Sequence, residues 1–205
     1  VYARIGTCTQ EYGSLSTWLV DVRTTLTGHR DEPGGAMFPK PAAFAPNTTG
    51  QPGKGRGVVL GRHKSRIAGA PEIMGELPIS CLAEEIESPG EGQIRAVITV
   101  ATNPVLSSPN GARIAKALDG LDFMVSLDIY LNETTRHADV ILPGPSPLED
   151  MHYDVPYPQM SWRNHARYRA PIFSAPAGQP MEWETVLKLA AIASGKDEHM
   201  SGAEI

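Results

Sequence analysis

The sequence predicts an α/β fold: a Rossmann-like, doubly wound, mostly parallel sheet flanked by helices, with a long Pro/Gly-rich loop. The first observation is three short apolar runs, rich in β-branched residues, at residues 94–101, 121–127 and 138–142. The second is that two segments of helical character separate them. Near-continuous apolar runs are typical of buried parallel strands. Alternating strands and crossover helices build half of a doubly wound sheet with right-handed connections.

The first part of the chain predicts a strand, a helix and a loop. Residues 1–7 read as a strand, and residues 15–27 carry an apolar stripe at helical spacing that Gly28 ends as a C-cap. Residues 28–66 are rich in proline and glycine, which predicts a long loop or linker. Its segment Gly53-Lys54-Gly55-Arg56-Gly57 is a weak phosphate-loop candidate, since it lacks the spacing and Lys-Ser/Thr ending of a P-loop.

The rest of the chain predicts four further helical segments around the central strands. A short helix is expected within residues 73–86, another at 112–118, and a short second crossover at 131–137. Residues 181–194 form an amphipathic pattern, predicted to cover one face of the sheet. We therefore expect one α/β domain over residues 1–195, followed by a polar tail at 196–205.

Composition excludes several classes of protein. The chain has 205 residues and a formal net charge of -5, which gives no support for a nucleic-acid partner. No apolar run is long enough to cross a bilayer, and no secretory signal is visible. Two cysteines cannot make a disulfide scaffold and fit a reducing compartment. We therefore predict a cytoplasmic location. The chain does not begin with methionine, and we expect it to be a piece of a larger protein.

Polar residues follow the predicted strands where open α/β sheets bind ligands. Thr102 and Asn103 follow the first strand, and Asp128 ends the second. Asp128 can accept hydrogen bonds from ribose hydroxyls or from a guanine edge, or it can merely cap the helix that follows. No dinucleotide fingerprint GxGxxG, no CxxC or HExxH metal motif and no GxSxG nucleophile is present. A complete catalytic site is therefore not predicted.

Three stretches carry a resemblance to a known family: LTGHRDEPGGAMFP, TNPVLSSPNGARIAKAL and LDFMVSLDIYLNETTRHADVILPGPSPLE. They resemble the molybdopterin oxidoreductases, the group of dimethyl sulfoxide reductase, nitrate reductase and formate dehydrogenase catalytic subunits. The resemblance implies a molybdenum or tungsten ion on two molybdopterin guanine dinucleotides. It implies that this chain binds one dinucleotide. The residues that it matches to dinucleotide or pterin contacts are Thr102, Asn103, Asp128, Asn132, Thr134, Gly6 and Gln10.

The same resemblance implies that this chain does not catalyse by itself. In the family, the metal-ligating residue and the cysteines of a [4Fe-4S] cluster normally precede this region, and a C-terminal barrel follows it. The expected partners are therefore that N-terminal cluster domain, that barrel and an electron-transfer subunit. The alternative is a standalone, non-catalytic α/β module that binds a nucleotide or a partner protein.

Overall fold

A computed structural model describes residues 1–37, 42, 60–73 and 75–195. The chain divides into two compact units, which we call the first unit (residues 1–55 and 153–168) and the second unit (residues 56–152 and 169–205). The weak phosphate-loop candidate at residues 53–57, most of the predicted loop and the tail at 196–205 lie outside the described residues. The single domain over residues 1–195 stays a prediction.

The first unit begins with helices α1 (Ile5–Cys8) and α2 (Gly13–Leu26). The predicted strand at residues 1–7 is therefore wrong. The backbone there bonds locally: the amides of Thr7 and Cys8 donate to the carbonyl of Arg4 at 2.9 and 3.3 Å. Such local pairing satisfies the same groups that a strand would need a neighbour to satisfy. Helix α2 is confirmed, and Gly28 follows its end with a φ of 68°, as a C-terminal glycine does.

The second unit opens with an antiparallel pair of strands, β1 (Leu60–Lys64) and β2 (Pro71–Ile73). Strand β1 lies within the predicted loop, so that prediction is wrong for these residues. All five residues of β1 are exposed, and the sequence therefore shows no apolar alternation from which to predict it. The pair is held by Arg62 of β1 and the buried Glu72 of β2, whose side chains form an ion pair.

A three-stranded parallel sheet is the centre of the second unit. Its strands are ordered β3-β4-β5, and Ile98 of the first is in register with Val125 of the second. The two crossovers differ, because two short helices join the first pair of strands and only a turn with a 3-10 helix (Thr135–His137) joins the second. The elements in chain order are α3 (Leu82–Glu87), β3 (Ala96–Val100), α4 (Pro104–Ser107), α5 (Gly111–Leu118), β4 (Phe123–Leu127) and β5 (Val140–Leu142).

Helices α3 and α5 cover one face of this sheet. Ile86, Ile114, Leu118 and Met124 are buried together there, each with 4 % exposure or less. Burial on both faces is confirmed only for the central strand β4, while β3 and β5 are largely exposed. Successive residues of a strand point to opposite faces, and Ile98, on the face away from α3 and α5, stays 48 % exposed. The mixed α/β fold with flanking helices is confirmed, and the doubly wound arrangement stays a prediction.

The last elements of the described residues are strands β6 (His152–Tyr153) and β7 (Tyr168–Arg169), which pair with each other, and helix α6 (Glu182–Ala193). Helix α6 confirms the predicted element. Trp183 and Val186 on its apolar side stay exposed, and Ala191 is its buried residue. None of the helices in the described part of the chain has the length and apolar character to cross a membrane.

Candidate functional site

A cleft of about 140 Å³ lies at the carboxyl ends of the three parallel strands. Each of those strand ends supplies part of its wall, and Glu182 in the first turn of α6 also lines it. The lining residues are Ala101, Leu127, Asp128, Ile129, Gly144, Pro145, Pro147 and Glu182. This is the edge at which open parallel sheets bind ligands, and it is where the sequence predicts the site.

Ala101 turns the chain sharply where β3 ends. Its amide donates to the carbonyl of Leu127 at 2.8 Å, which extends the pairing with β4 by one residue. Its φ of 46° is left-handed, a conformation that costs a residue with a Cβ about 1–2 kcal/mol. Such strain persists only where the surroundings enforce it, and it is concentrated at functional sites. The turn brings Thr102 and Asn103 to the ends of the strands.

Asp128 lies half-buried at the end of the central strand. One carboxylate oxygen accepts the amide of Tyr130 at 2.9 Å, and the other accepts the Nδ2 group of Asn132 at 3.1 Å. Neither contact caps a helix, because the next helical element is the 3-10 helix at Thr135–His137 and its N-cap residue is Thr134. The two contacts leave each carboxylate oxygen a further lone pair. They are compatible with ligand binding and hold the carboxylate in one orientation.

Asn132 and Thr134 belong to the turn that follows Asp128. The side-chain oxygen of Asn132 accepts the amides of Thr134 and Thr135 at 2.9 and 3.0 Å. Thr134 is fully buried, and its hydroxyl accepts the amide of Val105 at 3.1 Å. The turn is therefore bonded to the start of α4 as well as to Asp128.

Asn103 connects the loop after β3 to the same turn. It caps α4 by accepting the amide of Leu106 at 3.4 Å, and it also accepts the hydroxyl of Thr134 at 2.7 Å. Its Nδ2 group donates to the carboxylate of Glu133 at 2.8 Å. Thr102, its neighbour, is exposed and forms no side-chain hydrogen bond with the described residues, so its hydroxyl is accessible to a ligand.

Charged side chains of both signs lie around the site. The hydrogen bond from Asn103 is the main reason that the pKa of Glu133 lies below its ordinary value, so this carboxylate stays ionised at neutral pH. Glu182 of α6 lines the same cleft as Asp128, and Arg169 donates to the carbonyl of Pro147 in the cleft wall. The Asp128 carboxylate favours a ligand edge that presents hydrogen-bond donors.

The structure brings five of the seven predicted residues into one unit: Thr102, Asn103, Asp128, Asn132 and Thr134. Gly6 and Gln10 belong to the first unit, where the carbonyl of Gln10 accepts the amide of Gly13 at 3.0 Å. Their contact with a pterin stays a prediction. Sequence reasoning missed Ala101, Glu133 and Glu182. The only sequence signal for Glu182 is its position in the first turn of a predicted helix, where acidic residues are favoured. That signal is equally typical of an acid that only stabilises the helix end.

The described residues contain no group of three or more His, Cys, Asp and Glu side chains that could hold a metal ion. Cys8 is exposed and Cys81 is buried, and both are free thiols.

Comparison with known proteins decides the family. The sequence profile of the family described as molybdopterin oxidoreductase matches residues 13–191, which is most of the chain. The chain belongs to the molybdopterin oxidoreductase family. The matched range contains the cleft and the five site residues of the second unit.

Individual relatives in the family are much longer proteins. The assimilatory nitrate reductase catalytic subunit of Bacillus subtilis is 38 % identical over 98 residues, which are 46 % of this chain and 14 % of that protein. The F420-dependent formate dehydrogenase subunit alpha of Methanocaldococcus jannaschii is 40 % identical over 63 residues, 31 % of this chain and 9 % of that protein. A nitrate reductase of Symbiobacterium thermophilum is 28 % identical over 154 residues, 64 % of this chain and 19 % of that protein. The chain thus spans less than a fifth of the length of each.

Proposed function

We propose that this chain is part of the catalytic subunit of a molybdopterin-dependent oxidoreductase and binds the guanine dinucleotide portion of the cofactor. The observation that carries the proposal is the half-buried carboxylate of Asp128, which two internal donors orient at the cleft. Family membership supplies the cofactor class, since the profile match covers residues 13–191. Asp128 is the acceptor for the guanosine end, and Thr102 is the neighbouring accessible hydroxyl.

The size and charge of the cleft fit one end of such a dinucleotide. Sites that enclose a whole drug-sized ligand measure about 300–1,000 Å³. At about 140 Å³, this cleft holds a base or a ribose, and the remainder of the ligand lies outside it. The carboxylate of Asp128 matches the N1-H and exocyclic amine of guanine, or ribose hydroxyls.

When bound, the molybdenum or tungsten centre supplies two-electron redox chemistry, as in formate dehydrogenases and nitrate reductases. The residues of this chain bind and orient the dinucleotide that carries it. The remaining parts belong to the same proposal: a metal ligand and a [4Fe-4S] cluster held elsewhere in the subunit, a C-terminal barrel, an electron-transfer subunit and a cytoplasmic location. Homology to both enzyme types does not select one substrate.

The first test is the affinity of the chain for GDP and ADP, measured by titration calorimetry with Asp128→Ala and a control. The control is Asp122→Ala, which removes an exposed carboxylate at the opposite end of the same strand. Hydrogen bonds to a charged group contribute about 1.5–3 kcal/mol, so Asp128→Ala is expected to weaken GDP binding at least tenfold. The control is expected to bind like the parent chain.

Comparing the affinities for GDP and ADP shows whether Asp128 binds the guanine edge or the ribose hydroxyls. If Asp128 binds the guanine edge, the parent chain prefers GDP and Asp128→Ala removes the preference, because adenine presents an acceptor at N1. If it binds ribose hydroxyls, both affinities fall equally. Equal GDP affinity in Asp128→Ala and the parent chain would refute the role of Asp128.

A second test separates this proposal from a standalone nucleotide- or partner-binding module. An antibody against residues 128–143 reports the size of the native polypeptide on an immunoblot of source cells. A band several times larger than a 205-residue chain, with molybdenum or tungsten and guanine nucleotide in the purified protein, supports the oxidoreductase. A band at the size of 205 residues would contradict it and favour the module.

A further inference from the structure

Both the oxygen and the nitrogen of the Asn103 side-chain amide form hydrogen bonds. At its oxygen end, it accepts the amide of Leu106 at 3.4 Å and the hydroxyl of Thr134 at 2.7 Å. At its nitrogen end, it donates to Glu133 at 2.8 Å. Both lone pairs of the oxygen are used, and the nitrogen faces a carboxylate. Asn103 therefore offers a ligand one N-H at most.

The acceptor oxygen of Glu133 selects this orientation of the amide. Rotating the amide by half a turn would place its oxygen against the Glu133 carboxylate and its NH₂ group against the amide of Leu106. The first contact sets acceptor against acceptor and the second sets donor against donor, so both hydrogen bonds would be lost. In the observed orientation, the bond to Glu133 is charge-assisted, the stronger kind.

We propose that Glu133 is a positioning residue: it fixes the Asn103 amide, which ties the loop after β3 to the turn that orients Asp128. The inference rests on the proposed function for its effect on nucleotide binding. A continuous series of hydrogen bonds carries that effect. Asn103 bonds to Thr134, the amide of Thr134 bonds to Asn132, and Asn132 bonds to Asp128.

The burial of Thr134 makes this connection rigid. Its side chain has no exposure to solvent, and its hydroxyl both donates to Asn103 and accepts the amide of Val105. A buried polar group that loses its partner is costly, so the turn moves together with the loop. Glu133 itself is exposed and outside the cleft lining, so it acts on the ligand only through Asn103.

The test exchanges the charges across the Asn103–Glu133 hydrogen bond in a double-mutant cycle. Asn103→Asp sets a second carboxylate against Glu133, so we expect repulsion to separate the loop from the turn. The double variant Asn103→Asp/Glu133→Gln restores every hydrogen bond, because the new carboxylate accepts from the new amide and still accepts from Leu106 and Thr134. Glu133→Gln alone keeps a neutral hydrogen bond and is expected to have a small effect.

Two readouts are measured on each variant. The first is amide hydrogen exchange at Val105 and Leu106, which reports the link without any ligand. The second is the dissociation constant for GDP. We expect Asn103→Asp to speed exchange and weaken GDP binding about tenfold each, the middle of the usual range for coupled neighbours. The double variant is expected to recover most of both losses.

The outcomes separate the two proposals. If exchange and affinity are no better in the double variant than in Asn103→Asp, Glu133 does not position Asn103. If the parent chain binds GDP and every variant binds it equally well, while hydrogen exchange is rescued in the double variant, the role of Glu133 at the cleft is overturned. A parent chain that does not bind GDP refutes the proposed function, and the exchange data still decide whether the link exists.

Discussion

Replacing Gly111 with alanine tests how closely α4 and α5 pack beside the site. A Cβ on Gly111 would lie 1.9 Å from the carbonyl oxygen of Val105, whereas real Cβ contacts essentially never fall under 3.0 Å. The obstacle is backbone, which cannot rotate away as a side chain would. The start of α5 and α4 must therefore separate by about an ångström, against the hydrogen bond that holds Val105 to Thr134.

Two opposing effects determine how much Gly111→Ala changes the free energy of unfolding. Overpacking costs about 1–3 kcal/mol, and a backbone obstacle places this site at the upper end. Alanine recovers at most about 1 kcal/mol through its helix propensity. The free energy of unfolding is therefore expected to fall by about 2 kcal/mol, which lowers the folded-to-unfolded ratio about 30-fold.

Urea unfolding followed by circular dichroism measures this loss, and a midpoint shift of about 1 M is expected. The matched control is Gly144→Ala, where the nearest atom to a new Cβ is the Cβ of Glu182 at 3.9 Å, an ordinary contact. That variant is expected to change stability by less than about 0.5 kcal/mol. If Gly111→Ala is as stable as Gly144→Ala, the close approach is not a packing constraint.

Two further predictions concern stability of the second unit. The hydrogen bond from Arg62 is the main cause that lowers the pKa of Glu72 from its ordinary 4.5 to about 2. Because the folded pKa is the lower one, the stabilisation is complete above about pH 4.5 and is lost as pH falls toward 2. The gap in urea midpoint between the parent chain and Glu72→Gln should therefore narrow from pH 6 to pH 3, and a constant gap would contradict the assignment. The second prediction concerns the hydroxyls of Thr99 and Ser126, which are buried and 2.7 Å apart. Ser126→Ala leaves one hydroxyl unpaired and is expected to cost about 1–3 kcal/mol. The double variant with Thr99→Val should cost less than the sum of the single changes, and additive costs would refute the pairing.

Local sequence patterns predicted most of the regular elements of the second unit. Strand β4 was predicted from its near-continuous apolar run, and helix α5 from apolar residues that repeat at helical spacing. Strand β1 was missed because all its residues are exposed and no such period exists. The strand predicted at residues 1–7 was wrong, since an apolar run of that length does not reveal whether a neighbouring strand is available.

The parallel α/β unit and the position of Asp128 at a strand end could be predicted from the sequence, because they depend on residues close together in the chain. The contacts of each site residue could not be predicted in this way, because they join residues far apart in the chain. Asn103 donates a hydrogen bond to Glu133, which is 30 residues later in the chain. Glu182 of α6 lines the same cleft as Asp128. The contact between Asn103 and Glu133 depends on the register that sets Val100 beside Leu127 and so aligns the ends of β3 and β4. Strand register and helix placement depend on how much apolar surface the whole unit buries. A short segment of sequence does not reveal that total.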